Sequence, residues 1–138
     1  MLITVFVWGL AVGALHVVVT GAFYGNPVVD RIYAAAMASE PGVRRWDSKP
    51  RYLATQIAGT QVELWILTAC FLWLRPMIPL EGLGGAMVLG LAFAGIRVYP
   101  RFWNMWIQST YPTRLLAIEL VGGVISTFTV VAALHYWV

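Results

Sequence analysis

Four ionisable side chains, His16, Glu63, Arg97 and Glu119, lie at depth, one in each of four long apolar stretches of the chain. A charge at the centre of a membrane helix costs roughly 2.5–3.5 kcal/mol on insertion scales, so such residues face a partner or a wet cavity. The chemistry open to this set is proton relay through the carboxylates and the histidine, ion pairing, or ligation of a metal, haem or pigment by a single histidine. No nucleophile–base pair, phosphate loop or multidentate metal set accompanies them, so no catalytic residue, metal site or cofactor is assigned. His16 and His135 are placed too far apart along their stretches to clamp one haem between them. The single cysteine, Cys70, excludes an internal disulfide, a CxxC redox pair and a thiolate zinc site.

These residues must be positioned by membrane helices. Of 138 residues, 60% are hydrophobic and 11% charged, too little polar surface for a water-soluble globule of this size. A soluble enzyme, a disordered regulator and a nucleic-acid binder are excluded on that ground. Four apolar stretches, about Leu2–Phe23, Tyr52–Leu74, Gly82–Tyr99 and Leu115–Trp137, match the roughly 20 residues a helix needs to cross a bilayer core. In lipid the backbone must satisfy its own hydrogen bonds, and these runs are too long for barrel strands. The expected fold is all-α: a single membrane domain forming a four-helix transmembrane bundle. The first stretch reads as a retained helix, since no basic residue precedes it and no small-residue cleavage pattern closes it. The two halves share a span–basic loop–span layout without a residue-level repeat.

Loop charges orient the bundle. The first loop carries Arg31, Arg44, Arg45, Lys49 and Arg51, and Arg97, Arg101 and Arg114 lie in or beside the third, whereas the second has Arg75 alone. The positive-inside rule then places loops one and three in the cytoplasm and both termini outside. Asn26-Pro27 is a helix-start signal, and Val29, Ile32, Tyr33, Ala36 and Met37 follow at helical spacing until Pro41-Gly42. This describes a short amphipathic helix lying on the membrane surface. Arg44, Arg45, Trp46, Lys49 and Arg51 suit anionic headgroups, each basic residue contributing about 1 kcal/mol there. Phe102, Trp103, Trp106 and Tyr111, in the connection from Pro100 to Pro112, read as an interfacial anchor rather than a substrate-gripping aromatic box.

Helical phase puts the embedded polar groups on stripes of small and polar residues. Gly9, Gly13, His16 and Thr20 share one face; so do Gln56, Gly59, Thr60 and Glu63; Ala86, Gly90, Ala94 and Arg97; and Glu119, Gly122, Gly123 and Ser126. The four stripes are expected to pack inward. Counted from the cytoplasmic span ends at 1.5 Å per residue, Arg97 lies about 3 Å deep, Gln56 and Glu119 about 6 Å, His16 about 10 Å and Glu63 about 16 Å. Arg97 and Glu119, on helices joined by a hairpin, are expected to pair as a structural lock, with His16 and Gln56 completing a polar cluster. His16 reads as a hydrogen-bonded helix contact. Glu63, without a cation at its level, is the candidate for function.

The run Gly21-Ala22-Phe23-Tyr24-Gly25-Asn26-Pro27, with Arg31 and Tyr33 after it, resembles the glycine–aromatic–Gly-Pro signature of a bacterial family of small four-span membrane proteins, a domain of unknown function. Tyr111-Pro112-Thr113-Arg114-Leu115-Leu116-Ala117-Ile118 through Trp137 is similar to that family's ending. The resemblance covers both ends, about half of the chain, and implies a four-span fold in a bacterial inner membrane with no established chemistry. The sequence departs from it in inserting Asn26, in carrying Glu119 where asparagine is common, and in a longer third connection. A weaker similarity is to membrane-bound glutathione-handling enzymes, through four spans and Glu63 in the second. Small multidrug exporters share the span count but carry their key glutamate in span one, where this chain has His16.

The sequence therefore points first to a non-enzymatic accessory or packing subunit of a membrane complex, with the lipid bilayer and other membrane subunits or copies of itself as partners. The alternative is a proton-coupled small-solute transporter using Glu63 and His16. A membrane enzyme and a pigment- or haem-binding subunit rank below these.

Overall fold

The computed structural model describes all 138 residues. They form six α-helices: α1 Leu2–Tyr24, α2 Pro27–Ser39, α3 Lys49–Leu74, α4 Gly82–Arg97, α5 Tyr99–Gln108 and α6 Thr113–Trp137, with one short 3₁₀ turn at Arg75–Met77. Four helical stretches are long and apolar enough to cross a membrane, and the third of them runs from Gly82 through Gln108. The protein is an all-α, multi-pass membrane bundle. One end holds both chain termini; the other, here the basic end, holds α2 and the first loop.

Local signals place the helix starts. The Asn26 side chain accepts a hydrogen bond from the Val28 N–H at 2.9 Å and Pro27 opens α2, the capping arrangement expected of that dipeptide. Ser48 caps α3 through the Arg51 N–H at 3.3 Å, so α3 begins three residues before the apolar run that marks it in the sequence. The third connection departs most from expectation. Instead of an interfacial loop from Pro100, the chain turns slightly at Val98 and continues as α5. The Val98 N–H still bonds to Ala94 O at 2.9 Å and the Phe102 N–H to Val98 O at 3.2 Å. Between these two bonds the helical ladder is interrupted, where Pro100 has no N–H to donate, and the chain resumes at once as α5.

The helices form an arc in the order α3, α1, α6, α4, with close packing at α3–α1, α1–α6 and α6–α4 and little between α3 and α4. Gly9 and Gly13 let α1 approach α3 so closely that a methyl group on either would collide with Trp65 or Gln61. The Gln61 amide donates to Gly9 O at 3.0 Å and the Trp65 indole to Phe6 O at 3.2 Å, which is how small residues and polar side chains join helices where lipid supplies no hydrophobic drive. Along α6, Gly90 meets Phe128 and Gly123 meets Val98, so α4 and α5 follow α6 continuously across the kink.

The core is one-sided. Val12, Leu64, Leu67, Phe71, Ala86, Leu89, Phe93, Val130, Val131 and Leu134 form one buried cluster, and most of it lies toward the terminal end. At the basic end α3 stands free, every residue from Lys49 to Gly59 being exposed.

Candidate functional site

The open seam between α3 and α4 is bridged by one ion pair. Arg97 Nε donates to Glu63 Oε1 at 2.5 Å, and Arg97 Nη1 donates to Thr127 Oγ1 at 2.7 Å. The fully buried Thr127 hydroxyl donates its own hydrogen bond to Gly123 O at 2.7 Å, leaving its lone pairs for the guanidinium. His16 lies beside the pair, near enough to sense both charges, with Nδ1 buried and without a hydrogen-bond partner.

This geometry corrects the expected lock. Arg97 does not pair with Glu119, and Glu63 does not lack a cation. The cause is the α4–α5 continuation. The third membrane stretch extends to Gln108, eleven residues past Arg97, which puts Arg97 about 16 Å from the basic end of its helix rather than about 3 Å. That is the level of Glu63. Glu119 is served instead by Arg101, one turn farther along, whose Nη2 donates to Glu119 Oε1 at 2.9 Å. Gln56 joins neither group. It is exposed and reaches only Thr60 on its own helix, at 3.4 Å.

Two members of the site, Thr127 and Arg101, escape a reading based on ionisable residues one span at a time. The signal for them is the i, i+4 repeat Arg97/Arg101 set against the i, i+8 repeat Glu119/Thr127 on an antiparallel neighbour, legible only if α4 and α5 are one helix.

Around Glu119 gathers a second cluster. Tyr33 on α2 and Tyr111 in the α5–α6 connection lie near enough to feel its charge. Burial, and then the Glu119 carboxylate, hold both phenols well above the ordinary tyrosine range. Tyr33 Oη and Glu119 Oε2 are buried without partners.

Below Glu63 the free half of α3 borders a crevice of about 210 Å3, lined by Trp46, Tyr52, Thr55, Gln56, Gly59, Thr60 and Glu63. Glu63 is 45% exposed there, whereas Arg97 is only 15% exposed. The crevice is thus a polar groove that ends on one face of a carboxylate whose other face is held by arginine. Trp46 and Tyr52 stand at its mouth with ring centroids 5.5 Å apart, and the Arg44 guanidinium lies 4.9 Å from the Trp46 ring centre.

The other expected headgroup residues divide. Lys49 and Arg51 are exposed on the first turn of α3. Arg45 is engaged with the last carbonyls of α2, donating to Met37 O at 3.0 Å and Ala38 O at 2.9 Å, as a cation at a helix C-terminus does. Trp103 and Trp106 lie exposed on α5, with centroids 5.4 Å apart and Tyr99 stacked beside Trp103. His135 lies at the terminal end against Tyr136, remote from His16. No three His, Cys, Asp or Glu side chains converge on a common point. No protein-family model, curated protein or solved structure matches the chain.

Proposed function

We propose that this protein is a non-enzymatic membrane subunit that works within an assembly and closes its open α3–α4 seam against another transmembrane element. The observation that carries the reading is the free half of α3. Thr55, Gln56 and Gly59 are exposed on a membrane-embedded helix, and polar side chains in a bilayer turn toward protein or water rather than acyl chains. The residues outside the apolar helices are also too few for a soluble catalytic lobe. The basic first connection, with Arg114 on the first turn of α6, supports a topology with that end in the cytoplasm and both termini outside, and the resemblance to the bacterial four-span family supports an inner-membrane address. Native gels and crosslinking of gently extracted membranes test the reading. A species larger than the monomer is expected, and a chain that runs alone under all mild conditions removes it.

One observation favours a second reading, a proton-coupled transporter. Glu63 sits half-exposed at the deep end of a crevice that follows the free half of α3 from the basic end, while the apolar core fills the terminal end. Flux into proteoliposomes separates the two readings. Uptake that Glu63→Gln abolishes supports transport, and equal flux in both proteins dismisses it.

A further inference from the structure

Resting on the subunit reading, we infer that the element closing the seam is a second copy of this chain, with the free half of α3 packed against its counterpart about a two-fold axis along the membrane normal. Such an axis places each residue of a helix opposite its own equivalent at the same depth, because both copies cross the membrane in the same direction. A face suited to this arrangement carries residues that bond to their own kind or are small, and it carries no net charge.

The crevice face of α3 meets each condition. Gln56 offers an amide that both donates and accepts, so two copies satisfy each other. Thr60 does the same through its hydroxyl, and Thr55, whose hydroxyl donates to Arg51 O at 2.8 Å, keeps its lone pairs free to accept. Gly59 has no atom of its own chain within contact distance of where a side chain would stand, leaving room for close approach of a second backbone. Between Tyr52 and Thr60 there is no ionisable side chain in the embedded part of the face. At its deep end Glu63 is neutralised within its own chain by Arg97, so two copies of the face do not repel there. A partner of a different kind, bearing an embedded charge, would find no unpaired opposite charge to meet.

Site-directed crosslinking in native membranes tests the arrangement. In a Cys70→Ala background, Gln56→Cys and Gly59→Cys are compared with Ala54→Cys, which at 3.6 residues per turn lies about 160° round the helix from Gln56. Mild oxidation is expected to give covalent dimer from Gln56→Cys and Gly59→Cys at several-fold the yield from Ala54→Cys. Equal yields at all three positions, or dimer from Ala54→Cys alone, overturn the inference. Copurification of two differently tagged parental chains, with no cysteine introduced, is a second measurement that does not depend on how the variants fold. If tagged copies fail to copurify while the chain runs with a different polypeptide, the second copy is wrong and the subunit reading stands. If the chain runs alone, both fall.

Discussion

Arg97 Nε lies 2.5 Å from Glu63 Oε1 across the one neighbouring-helix seam where α3 and α4 barely touch. The pair therefore does what side-chain packing does elsewhere in the arc. Breaking one half strands a charge, which costs roughly 3–5 kcal/mol for buried pairs, whereas replacing both halves with apolar groups is often neutral. Because Glu63 keeps 45% exposure, Arg97→Leu is expected to fall at the lower end of that range. The double replacement Arg97→Leu with Glu63→Leu is expected to recover most of the loss. Thermal unfolding in detergent reads both, and a single variant as stable as the parent shows that the seam does not depend on the pair.

Glu119 is expected to couple to Arg101 and not to Arg97. A double-mutant cycle of Glu119→Gln with Arg101→Gln should return a coupling of about 0.5–1 kcal/mol, modest because Arg101 is 56% exposed. The cycle of Glu119→Gln with Arg97→Gln should return none. A coupling confined to Arg97 would restore the hairpin lock.

At Gly13 a side chain on α1 would collide with the Gln61 amide of α3. Gly13→Leu displaces the Gln61 amide and breaks its bond to Gly9 O, with an expected loss of about 1–3 kcal/mol. Gly21, on the same helix with open space about it, is the control. Similar melting of Gly13→Leu and Gly21→Leu would contradict the packing.

The Tyr33 and Tyr111 phenols have folded-state pKa values raised by burial and by Glu119. Their neutral forms are favoured in the folded protein, so the stability they contribute is complete below the unfolded phenol pKa of about 10 and falls as pH climbs above it. Stability at pH 11 relative to pH 8 is expected to drop for the parent and to drop less for Tyr33→Phe. Identical alkaline profiles for the two proteins would show that Tyr33 does not bear the strain.

Much of this was legible in the sequence because lipid imposes simple rules. Apolar length marks the four membrane-crossing stretches, Asn26-Pro27 starts α2, and the Gly9–Gly13 stripe faces a neighbour. Where the reading paired the wrong charges, one residue was responsible. Pro100 suggests an end to the third span, yet the helix is only interrupted at Val98 and resumes as α5 to Gln108. That shift in the span's end carried Arg97 to the level of Glu63 and left Glu119 to Arg101. The expected inward packing of Gln56 failed for another reason. Helical phase shows which residues share a face, but it does not show whether one chain holds enough helices to cover that face.

The uneven core has a consequence for how the molecule opens. Free energies of local opening follow buried apolar contact, from near zero in uncovered segments to the global value in the core. Amide hydrogens of α3 from Leu64 to Phe71, inside the core cluster, therefore report global unfolding. Those from Tyr52 to Gly59, on the uncovered turns, report whatever lies against them. A single helix thus contains both a slow clock for the whole protein and a fast one for its neighbour, and deuterium uptake along α3 reads the occupancy of the seam without altering a residue.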